Sequence, residues 1–78
     1  MKHLLLVSAI LFSPVEEAAI KLIMVACPTC RFEEVVDAVT SLAITRPTSS
    51  PHRLACSSIL HITSGGTQRD KFYRDCYI

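Results

Sequence analysis

Apolar residues recur at Phe32, Val35, Val36, Val39 and Leu42, a three-and-four spacing that winds one greasy stripe around a helix. Glu33, Glu34 and Asp37 take the other side and crowd towards the start, where the helix dipole favours negative charge. The pattern predicts an amphipathic helix over residues 30–43. After it, residues 45–53 ("TRPTSSPHR") are rich in Pro, Ser and Thr and read as a linker. Beyond the linker, Leu54, Cys56, Leu60 and Ile62 alternate, with Ser58 as the exception, and Phe72, Cys76 and Ile78 alternate again after the turn signal "SGG". Period-two patterning on either side of a glycine turn predicts a β-hairpin with strands at about 54–62 and 71–78. A short loop centred on Gly66 sets Cys56 opposite Cys76, Leu54 opposite Ile78 and Leu60 opposite Phe72. Opposed residues on antiparallel strands are close enough for a disulfide. A rival reading makes the same segment a helix begun by Ser50 with Pro51 at its first position. Its apolar residues do not fall on one stripe, and it ranks second. The expected fold is therefore α+β: one helix packed on a C-terminal hairpin.

The N-terminal third supports two readings. Residues 1–19 begin with Lys2 and His3 and run apolar from Leu4 to Phe12, the first two parts of a secretory signal. Alternatively, Leu4 to Leu11 is a buried strand, and "SPVEE" starts a helix with Ser13 as N-cap, Pro14 at N1 and Glu16 closing a capping box. Val15, Ala18, Ala19, Leu22 and Ala26 would then share a face. The apolar run is too short to span a bilayer, so membrane association would run only through residues 4–12. Residues 20–78 form a single small domain in either case.

Composition narrows the function classes. A chain of 78 residues, half of them hydrophobic, can hold one small core. Eight basic against seven acidic residues leave a nearly neutral surface, which argues against nucleic acid as a partner. The one basic grouping, Arg69, Lys71 and Arg74, is broken by Asp70 and Asp75. No phosphate-cradling loop, paired catalytic carboxylates or recognisable serine nucleophile emerges, and no cofactor is expected.

Candidate chemistry therefore rests on four cysteines, Cys27, Cys30, Cys56 and Cys76. The first reading is structural. In an oxidising compartment Cys56 and Cys76 pair across the hairpin, and Cys27 and Cys30 pair locally or pack as small hydrophobes. A second reading is redox. A cysteine just before a helix feels the positive end of the dipole, which favours thiolate. Cys27 would attack and Cys30 resolve. Residues 21–39, "KLIMVACPTCRFEEVVDAV", resemble the thioredoxin and glutaredoxin families, whose C-x-x-C follows a strand and opens a helix. "SSP" at 49–51 and "SGG" at 64–66 resemble the later proline turn and glycine pair of glutaredoxins. The resemblance implies thiol–disulfide exchange at Cys27 and Cys30. It covers a third of the chain, and the interval from Cys30 to Pro51 is too short for the strand and helix those folds place there. A third reading is zinc: Cys27 and Cys30 with His52 and Cys56, or with His61 or Cys76 completing the set.

The favoured expectation is a small non-enzymatic protein, secreted and disulfide-stabilised, acting by surface binding to a protein partner. A cytoplasmic location is the alternative. A further alternative, ranked after the redox and zinc readings, is a chain that has no selected function, which its ordinary composition and sparse motifs do not exclude.

Overall fold

A computed structural model describes residues 12–77. The signal or strand proposed before Phe12, and Ile78 at the far end of the expected hairpin, lie outside the described residues. Four α-helices follow in order: α1 (Pro14–Ala26), α2 (Phe32–Thr45), α3 (Pro51–Ser58) and α4 (Gly66–Asp75), with a 3-10 turn at Ile59–His61. Among the described residues there is no strand. The fold is all-helical, and the α+β expectation with its C-terminal hairpin is overturned.

The start of α1 is written locally. Glu16 N–H donates to Ser13 Oγ at 3.2 Å, and Ser13 N–H donates to Glu16 Oε1 at 3.1 Å. That reciprocal pair is the capping box expected from "SPVEE", with Pro14 at the first helical position. The buried face is rotated from the expected one. Ala19, Ile20 and Ile23 point inward, whereas Leu22 and Ala26 are exposed. α2 lies within two residues of its expected span, with Val35 and Val39 fully buried and Phe32 exposed.

The hairpin fails because the apolar spacings of residues 54–78 fit two periods. Spacings of four (Cys56 to Leu60, Phe72 to Cys76) return to the same face of a strand and nearly to the same face of a helix. Capping decides the matter for α3. Ser50 Oγ accepts from Arg53 N–H at 3.3 Å, and Pro51 occupies the first helical position. Leu54, Ala55, Ser58, Ile59 and Ile62 are then buried in one stripe, while Leu60, assigned to the inner strand face, is exposed. Ser58 belongs to that stripe because its hydroxyl donates to Leu54 O at 2.7 Å and needs no other partner. The expected linker shrinks correspondingly to residues 46–50.

The core gathers Ala19, Ile20 and Ile23 of α1, Val35, Ala38 and Val39 of α2, Leu54 and Ala55 of α3, then Ile59 and Ile62. α1 packs chiefly on α3 and next on α2. Cys27 and Cys30 complete this core, and α4 covers its end with Phe72 and Tyr73 half-buried against it. No buried side-chain nitrogen or oxygen among the described residues lacks a hydrogen-bond partner. No helix there is long and apolar enough to cross a membrane.

Candidate functional site

Cys27, Pro28, Thr29 and Cys30 form the turn between α1 and α2. Cys27 N–H still bonds to Ile23 O at 2.7 Å as the last act of α1, and Cys30 N–H folds back onto Cys27 O at 3.1 Å. The turn brings the two Cα atoms to 5.4 Å, and the sulfurs are bonded. A helix, α1, precedes the motif, whereas the thioredoxin and glutaredoxin families place a strand there.

A second turn, Thr63 to Gly65, lies directly over this bridge. Cys27 is 0 % and Cys30 4 % exposed. Gly65 adopts φ +96°, and a β-carbon there would stand 2.5 Å from both Sγ atoms. Only glycine provides both the left-handed backbone and the room. Ser64 O sits 3.7 Å from Cys30 Sγ. Polar bonds fasten the cover at its rim: Arg31 N–H donates to Ser64 Oγ at 3.0 Å, and Thr29 Oγ1 donates to Gln68 Oε1 at 2.5 Å. Arg69 Nη1 donates to Ile62 O at 2.7 Å, tying α4 back to the same segment.

Glu34 is the strongest fastener. Its Oε2 accepts from Thr63 N–H at 2.9 Å and from Thr63 Oγ1 at 2.6 Å, and its Oε1 accepts from Ser64 N–H at 3.1 Å. Hydrogen bonds from Ser64 and then Thr63 stabilise the carboxylate and lower its pKa from 4.5 to about 2. By helical spacing Glu34 falls on the outer side of α2 with Glu33 and Asp37, and "SGG" carries only a turn signal. Nothing local announces that these two segments meet.

The second bridge joins Cys56, on α3, to Cys76, just after α4, with Cα atoms 5.8 Å apart. The two cysteines meet although no ribbon of strands connects them. The chain turns through the 3-10 turn and Gly65 between the two helices, and Cys56 and Cys76 meet across that turn. Unlike the first bridge, this one is partly exposed, at a groove of about 180 Å3 lined by Arg53, Ser57, Leu60, Tyr73 and Tyr77. The Tyr73 and Tyr77 rings meet edge to face at 4.9 Å, and their hydroxyls share a 2.6 Å hydrogen bond. That bond raises the Tyr73 pKa. His52 Nε2 lies 3.6 Å from Cys56 Sγ, one helical turn away.

The four positions of the zinc reading are not brought together. Cys27 and Cys30 face the cover formed by Ser64 and Gly65, whereas His52 and Cys56 lie on α3. No group of three His, Cys, Asp or Glu among the described residues is arranged to hold a metal ion. His61 is apart again, in a groove with Glu34, Asp37 and Ser41. With all four sulfurs bonded, no thiol is free. The basic grouping lies on α4, and Arg69 in it is already engaged by Asp70 Oδ1 at 2.7 Å. No known protein family, no curated protein and no solved structure matches this chain.

Proposed function

We propose that this chain is a small non-enzymatic protein, exported to an oxidising compartment, which acts by binding a protein partner through its surface. The observation that carries the reading is the closed state of all four cysteines, with Cys27 and Cys30 sealed beneath Gly65. Sulfur then serves as reinforcement for a core too small to be generous on its own. Disulfides persist where the compartment is oxidising, and a basic start followed by an apolar run in residues 1–19 supplies an export signal. The helical surface offers apolar side chains to a partner: Val25 is 82 % and Ile44 80 % exposed. Thiol–disulfide exchange at Cys27 is disfavoured by burial, since an attacking thiolate needs access to sulfur and Cys27 and Cys30 are 0 % and 4 % exposed.

Intact mass of the chain recovered from outside the producing cell tests the proposal. The expected product lacks the N-terminal segment, takes up no alkylating reagent under native conditions, and takes up reagent at Cys27, Cys30, Cys56 and Cys76 after reduction and unfolding. Free thiols in the freshly recovered protein, or its retention in the cytoplasm, would refute it.

A further inference from the structure

The two bridges differ in their access to solvent. Cys27–Cys30 is buried and covered by Gly65, while Cys56–Cys76 is partly exposed at its groove. The two sulfurs of the open bridge also differ from each other. Cys56 Sγ has the exposed His52 ring nitrogen at 3.6 Å, and Arg53 lines the same groove. As an Nε2–H donor the His52 ring favours negative charge on this sulfur. Cys76 closes the C-terminus of α4, its N–H bonded to Tyr73 O at 3.1 Å and Phe72 O at 3.3 Å. Both cysteines therefore lie at the C-terminal end of a helix, Cys56 in the last turn of α3 and Cys76 just after α4, so the contrast between the two sulfurs rests on the His52 ring beside Cys56.

We propose that Cys76 is an S-thiolation site for a low-molecular-weight thiol, with Cys56 as the leaving group and His52 as the residue that stabilises its departure. The thiolate of the small molecule attacks Cys76 Sγ. A new sulfur–sulfur bond forms there as the Cys56–Cys76 bond breaks, and the bonding electron pair leaves with Cys56 Sγ. The departing thiolate receives a hydrogen bond from His52 Nε2–H. One disulfide is exchanged for another, so no external oxidant is required. Protonation of Cys56 takes up a proton equivalent to the one the attacking thiol released. Reversal follows when Cys56 attacks the Cys76 side of the mixed disulfide and expels the small thiol. Selectivity comes from leaving-group strength, because the better-stabilised thiolate departs faster. This goes beyond structural reinforcement: one bridge is permanent, and the other is an addressable modification site.

The test is incubation of the purified, oxidised full chain with reduced glutathione, acid quenching, and peptide mapping by mass. The expected result is a glutathione adduct on Cys76, an alkylatable thiol on Cys56, and an unaltered Cys27–Cys30 peptide. His52→Ala should slow adduct formation about threefold or more, because the departing Cys56 thiolate loses its hydrogen-bond donor. It should also erode the preference for Cys76 over Cys56. Circular dichroism of the variant controls for folding. An adduct mainly on Cys56, opening of Cys27–Cys30 at a comparable rate, absence of any adduct, or unchanged kinetics and adduct position in His52→Ala would each overturn the proposal.

Discussion

Gly65 and Gly66 are neighbours, both with positive φ, at +96° and +51°, yet their surroundings are opposite. A β-carbon on Gly65 meets two sulfurs, while one on Gly66 meets nothing within 4 Å. Gly65→Ala should therefore lower unfolding free energy by about 2–4 kcal/mol, combining backbone strain with overpacking. Gly66→Ala should lower it by about 1 kcal/mol, from backbone strain alone. Urea denaturation of the two variants checks the contrast, and equal losses would mean that the sulfurs are not beneath Gly65. At the other end, Ser13→Ala removes an N-cap acceptor and should lower stability by about 1 kcal/mol in the same assay. These residues differ in legibility for a physical reason. The Ser13 cap involves residues three apart, so sequence displays it. The demand on Gly65 comes from Cys27 and Cys30, more than thirty positions away, and no local pattern encodes it.

Among the elements, α2 was legible because five apolar residues at helical spacing admit one reading. The C-terminal half was not, because its spacings of four serve strand and helix alike, and the polar Ser58 hid a buried stripe. The caps at Ser50 and Pro51 carried the correct answer and were outweighed by alternation. One element pairing makes a pH-dependent prediction. Glu34 links the first turn of α2 to the segment before α4, with a pKa of about 2 in place of 4.5. Because bonding favours the charged form, its contribution to stability is complete above pH 4.5 and is lost as pH falls towards about 2. Wild type should lose stability across that window, whereas Glu34→Gln should be less stable at neutral pH and lack that share of the acid response. Acid titrations followed by circular dichroism distinguish them, and superimposable acid profiles would remove Glu34 from this role.

At the scale of the molecule, the two bridges restrain the unfolded chain unequally. Cys56 and Cys76 are 20 residues apart, and in the chain-entropy model their loop is worth about 3 kcal/mol. Cys27 and Cys30 are 3 apart, and the same model gives their loop less than about 2 kcal/mol. Thermal unfolding of the Cys56→Ser/Cys76→Ser double variant should show the larger loss of entropic restraint. The sealed bridge has a different consequence, one of timing. Its cover is drawn from residues 63–65, so a growing polypeptide must extend more than thirty residues past Cys30 before that part of it exists. Until then both thiols stand open to any oxidant; once the cover docks, they are out of reach. Oxidation at positions 27 and 30 consequently has to precede the docking of residues 63–65 and α4, and a chain that docks first would carry its error sealed inside.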